Sequence, residues 1–148
     1  MSDLILSASD RDARLVVTVR NGGREPVRIW RQDNSWGWSS FELLVAHAAR
    51  PEVQHTLRPK PVIWTANLPS YVELGPAEST EFEFRAGHPN WEGLDSVRPI
   101  RDHELAVRVV LRIRESPEAT DLAIFIGVAA SSLCVSHPPH RWLFAENR

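Results

Sequence analysis

Apolar and polar side chains alternate strictly along much of this chain, and prolines keep cutting the alternation short. That pattern limits the possible folds more than any other feature. In the run from Leu105 to Ile113, Leu105, Val107, Val109, Leu111 and Ile113 share one side, with Arg108 and Arg112 on the other. Successive side chains of a strand point to opposite faces, so a period of two sets one face in a core and the other in water. Leu15, Val17 and Val19 repeat the pattern against Val16, Thr18 and Arg20. So do Val27 and Ile29 against Arg28 and Trp30, then Phe41, Leu43 and Val45, then Phe82 and Phe84 between Glu81, Glu83 and Arg85. Proline, with its fixed φ and missing N–H, disfavours a long helix or central strand wherever it stands, and there are 11. After the linker Ser116–Thr120, the stretch Asp121–Ser136 reads as a final strand or strand pair. A short helix could start near Asn90–Leu94. Seven or more short strands with frequent turns predict an all-β fold, a two-sheet antiparallel β-sandwich with long Pro-rich loops.

The chain is long enough to bury a core without help. Its 148 residues suit one domain, 1–148, and a chain of this length hides about two-thirds of its unfolded surface. No disulfide or metal staple is needed, and Cys134 is the sole cysteine. That favours a reducing compartment, so a cytoplasmic location is expected. The opening residues show no basic segment followed by a long apolar one, so no signal peptide is expected, and no apolar run is long enough to span a membrane. A net charge of −2 provides no general attraction to nucleic acid or to an anionic membrane.

The stretch Leu15–Ile29, LVVTVRNGGREPVRI, and the later VELGPAESTEFEF resemble the bacterial immunoglobulin-like pattern. There a strand ends in Asn and a small turn, Pro-Val opens the next strand, and a Pro-Gly-Glu-Ser turn precedes a strand of alternating aromatics. Here Gly75-Pro76-Ala77-Glu78-Ser79 stands in place of that turn. The bacterial intracellular proteinase-inhibitor family shares the pattern, which covers roughly residues 13 to 85. The resemblance implies an immunoglobulin-like sandwich. It does not by itself imply inhibition, since function lives in sites grafted onto a fold.

The most distinctive segment is VRIWRQDNSWGWSSFEL, residues 27 to 43. Asp33, Asn34 and Ser35 are expected to form a polar turn, with Gly37 supplying a positive φ. One of Trp36 and Trp38 is expected to be buried as an anchor and the other exposed as a contact. Simple alternation turns Trp30 outward beside Arg28. If that strand neighbours the Leu105–Ile113 strand, Arg28, Trp30, Arg108, Arg112 and Arg114 share an outer face, where Arg–Trp stacking is available. The competing reading is a solvated face, or one covered by the segment 46–70 with Trp64.

Catalytic readings are weak. Asn34-Ser35-Trp36-Gly37 resembles the segment carrying the orienting asparagine of papain-like cysteine proteases, but no cysteine precedes it. His137-Pro138-Pro139-His140 is the only close histidine pair, and its prolines hold the rings apart, so no metal and no cofactor are expected. Cys134, on an apolar terminal strand, is expected to be buried and inert. The first expectation is therefore a non-enzymatic domain that binds another protein or serves as an accessory module, of inhibitor or immunity type. Loops 31–40 and 86–100 and the tail 136–144 would make the contacts. The alternative is a carbohydrate-binding module, with Trp36, Trp38 or Trp91 stacking on sugar and Asp33 and Asn34 bonding hydroxyls. An enzyme ranks third.

Overall fold

A computed structural model describes residues 3–145; residues 1–2 and 146–148 of the expected domain lie outside them. In chain order the elements are β1 (Leu4–Asp10), β2 (Leu15–Asn21), β3 (Val27–Trp30), α1 (Ser35–Trp38), β4 (Phe41–His47), β5 (His55–Pro59) and β6 (Tyr71–Leu74). There follow β7 (Ser79–Phe84), β8 (Trp91–Glu92), α2 (Leu94–Val97), β9 (Leu105–Ile113), α3 (Pro117–Asp121), β10 (Gly127–Ala130) and β11 (Cys134–Ser136). The fold is mostly β, and its strand pairs are antiparallel. One sheet has the order β1-β2-β7, a second the order β10-β9-β4-β5-β8, and β3 and β6 form a separate ribbon. No helix among the described residues is long and apolar enough to cross a membrane.

The period-two faces meet in one core. In the β4–β9 ladder, Phe41 lies opposite Leu111, Leu43 opposite Val109 and Val45 opposite Val107. All six are 2% exposed or less. Leu15, Val17 and Val19 of β2 and Phe84 of β7 join the same cluster from the three-stranded sheet. Phe82 is half-buried and packs on Phe41, their ring centroids 5.0 Å apart. Val16, expected outward, is buried as well, paired between Ser9 and Glu83.

The C-terminal third departs from its expected shape. Ser116–Thr120 is not a plain linker. Ser116 Oγ accepts the Ala119 N–H at 3.0 Å and Pro117 takes the first turn, so the segment starts α3. The final apolar run forms two short strands on the same edge of β9, the strand-pair form of the expectation. Between them the Ser131 side chain stands in for the missing strand: its Oγ accepts the Val109 N–H at 2.9 Å, while its own N–H donates to the Val109 carbonyl. Cys134 is half-buried rather than buried, and burial pushes its thiol pKa up.

The tail 136–144, expected to make contacts, is divided: His137, Pro138, Pro139 and Arg141 are exposed, and its other residues are interior. Trp142, Leu143 and Phe144 are buried in the core, and Ser136 and His140 are 0% and 1% exposed. His140 Nε2 lies 2.7 Å from the His103 carbonyl, which can only accept, so the neutral ring carries its proton on Nε2. Nδ1 is then an acceptor 2.7 Å from Ser136 Oγ. Asp10 Oδ2 lies 2.9 Å from the same hydroxyl, and Trp142 Nε1 donates to it at 2.8 Å. This knot ties the tail to β1.

Two predictions follow from these packing arrangements. Val109→Ala should cost about 1–3 kcal/mol by urea unfolding, because a fully enclosed side chain loses its contacts. Burial lowers the pKa of His140 below its usual 6.5, an effect offset in part by the His103 carbonyl and the charge of Asp10. Its contribution to stability is therefore intact above the unfolded value and is lost as pH falls from there through the lower folded value. The urea midpoint should drop across that window, and His140→Gln should flatten the drop.

Candidate functional site

The site is built around a single helical turn. Asn34 is extended and caps α1: its Oδ1 accepts the Gly37 N–H at 2.8 Å, and its Nδ2 donates to the Ser70 carbonyl and Oγ, each at 3.1 Å. Fully buried, it is a structural residue and not the exposed ligand contact expected of it. Asp33 is exposed, and its Oδ1 accepts a hydrogen bond from the Ser70 hydroxyl. Gly37 is needed for space rather than for a positive φ, since its backbone is helical. A Cβ there would stand 1.6 Å from the Arg31 carbonyl oxygen.

The two tryptophans of α1 leave the turn in different directions, and neither is buried. Trp36 stacks on Trp30 with ring centroids 5.6 Å apart and planes 25° apart. This contact overturns the outward placement of Trp30, which is only 3% exposed. Alternation puts a residue in water only when that face of the strand is left open, and here α1 covers it. Trp38 turns to the segment 61–70, where Trp64 meets it at 6.1 Å and 77°, and His88 meets it at 5.7 Å and 64°. Its indole N–H donates to the Lys60 carbonyl at 2.8 Å and fixes the ring.

The expected arginine face does not form. Arg28 lies on the β3–β6 ribbon, where its Nε donates to Glu73 at 2.9 Å and its guanidinium sits 4.5 Å over Tyr71. Arg108 and Arg112 belong to β9 in another sheet. Arg112 Nε reaches Glu42 at 3.3 Å, and Arg108 Nε is buried with no partner among the described residues. Trp91, a proposed sugar platform, is 4% exposed and packs edge-on against Phe84 at 5.3 Å. Its β8 strand pairs with β5, which draws the ring into the core.

Two concave regions remain on either side of α1. On one side Trp36, Arg112 and Arg114 border a cavity of about 190 Å³ with Ser35 and Ser116. On the other, Trp38, Trp64, His88 and Pro89 line a cleft of about 430 Å³ with Gln32, Asp33 and Glu83. Of the nine sequence candidates, the cleft brings together only Asp33 and Trp38. Gln32 and His88 fall within the loops 31–40 and 86–100 expected to make contacts without being singled out there, while Trp64 and Glu83 come from outside those loops and join them only across the folded chain. The outward position of Glu83 was nevertheless legible from its place between Phe82 and Phe84. Glu83 is a fixed anion: its Oε2 accepts from Arg85 at 3.0 Å and its Oε1 from Arg14 at 2.6 Å. Arg85 first, with Arg14, holds its carboxyl below the usual range, which suits an acceptor and not a general acid.

No protein-family model, curated protein or solved structure matches the chain.

Gly37→Ala should lower stability by at least about 3 kcal/mol, because the methyl group meets backbone and cannot be relieved by a side-chain turn. Ser39→Ala, on the exposed side of the same turn, should change it by no more than about 0.5 kcal/mol. Urea unfolding of the two variants measures the difference.

Proposed function

We propose that this chain is a non-enzymatic, immunoglobulin-like binding domain that engages another protein through the Trp38 cleft and the segment beside it. The exposure of that segment carries the reading. Ile63 is 95% exposed, Leu68 76% and Val62 43%, all on the stretch that delivers Trp64 to the cleft. Exposed apolar side chains on the stretch that supplies a wall of an aromatic cleft fit a protein surface that closes over them. The strand orders support the fold assignment: first, second and seventh strands share one sheet, and the ninth lies between the tenth and fourth in the other. That is the division expected of strands A, B and E against C, F and G. An inhibitor or immunity-type protein in the cytoplasm fits this reading, with Cys134 as the sole cysteine. The ionised Glu83, tied to two arginines, supports binding over acid catalysis.

A carbohydrate-binding module is the second reading, favoured by the aromatic walls and the amide and carboxylates of the cleft. The two readings separate on which residues matter. A partner protein captured by the wild type from host extract should be lost by the double variant Ile63→Ser, Leu68→Ser. Stability of that variant should stay within about 0.5 kcal/mol, since both residues are exposed. Retention of a polysaccharide that depends on Trp64 but not on Ile63 or Leu68 would favour the glycan reading instead.

A further inference from the structure

The walls of the Trp38 cleft specify more than a generic contact. Trp64 and His88 both stand steeply to Trp38, at 77° and 64°. Rings this steep to Trp38 line the cleft with aromatic surface in more than one plane. Several directional groups are already used inside the protein. The Trp38 N–H is held by the Lys60 carbonyl, and both Glu83 oxygens are held by Arg14 and Arg85, neither of which lines the cleft. Asp33 keeps one carboxylate oxygen without a partner among the described residues. What the cleft still offers is aromatic surface and, in Asp33, one carboxylate with no ion-pair partner among the described residues, on a chain whose neighbouring stretch exposes Val62, Ile63 and Leu68.

That combination suits a weakly hydrated cation. Ring faces attract positive charge through their quadrupoles, and a carboxylate at the mouth adds the counter-charge. A planar guanidinium serves both contacts, because it stacks on aromatic faces and pairs with a carboxylate through two N–H groups. An ammonium is more strongly hydrated and lacks the plane. We propose that the cleft takes the guanidinium of an arginine side chain on the partner protein, seated among Trp38, Trp64 and His88 and paired with Asp33. Apolar residues flanking that arginine pack on Ile63 and Leu68. The inference rests on the protein-binding reading and names the chemistry the partner must present.

The test uses the whole chain and short blocked peptides: leucine-arginine-leucine, the same sequence with citrulline or lysine at the centre, and methyl glucoside as the sugar control. Indole N–H signals of the protein are followed by NMR at constant ionic strength. The arginine peptide should shift the Trp38 and Trp64 signals saturably and bind about three- to tenfold more tightly than the citrulline peptide. Asp33→Asn should erase most of that difference, and Trp64→Ala should weaken arginine binding without unfolding the domain. Equal binding of the citrulline peptide, equal binding of the lysine peptide, response to methyl glucoside alone, or no response at all would each overturn the arginine assignment. If the peptides fail while capture of a partner still depends on Ile63 and Leu68, the arginine assignment alone falls. If that capture is absent too, the protein-binding reading falls with it.

Discussion

The β4–β9 register is the constraint from which the rest of the molecule hangs. Phe41, Leu43 and Val45 face Leu111, Val109 and Val107 across it, and all six are enclosed. A slip of one residue would turn three large side chains of one strand to water, so hydrophobic burial alone specifies the pairing. Position follows from it at both ends. β10 and β11 dock in succession on the free edge of β9, with Ser131 bridging the gap. At the other end β4 begins three residues after Trp38, and the Ser40 carbonyl accepts the Arg112 N–H at 2.7 Å. The one-turn helix is therefore held at the end of the central ladder.

That anchoring explains why so short an element can carry a site. A four-residue helix has no stability of its own, since nucleation outweighs what one turn recovers. Here Asn34 caps it, Gly37 lets it press against the Arg31 carbonyl, and Trp36 stacks on a buried Trp30. With one tryptophan used as a brace, the other is presented to the cleft with its N–H pinned. The arrangement positions an aromatic face on a rigid base, whereas the exposed apolar residues sit on the less regular chain between β5 and β6.

Electrostatics divide the surroundings in the same way. Glu83 of β7 sits between Arg14 and Arg85, a cluster of net positive charge, and Arg28 is satisfied by Glu73 and Tyr71 on the β3–β6 ribbon. Such exposed pairs add little to stability. Asp33 is then the one carboxylate lining the cleft that has no ion-pair partner among the described residues.

The strands and their inward faces were legible in the sequence because a period of two is local: Leu105 to Ile113 carries its own orientation whatever it packs against. The turn at Asp33–Ser35 was legible for the same reason, since its capping side chain and its N–H partner are three residues apart. Trp30, Trp91 and the tail around Trp142 were misread. Their burial depends on what covers them: α1 folds back on Trp30 from five residues downstream, while β5 and β1 reach Trp91 and the tail from distant parts of the chain. The arginine face failed because alternation orients a side chain without saying which strand lies beside it. The cleft is likewise a product of tertiary structure alone. Asp33, Trp64, Glu83 and His88 lie up to 55 residues apart along the chain, and only the tertiary fold brings them to one mouth.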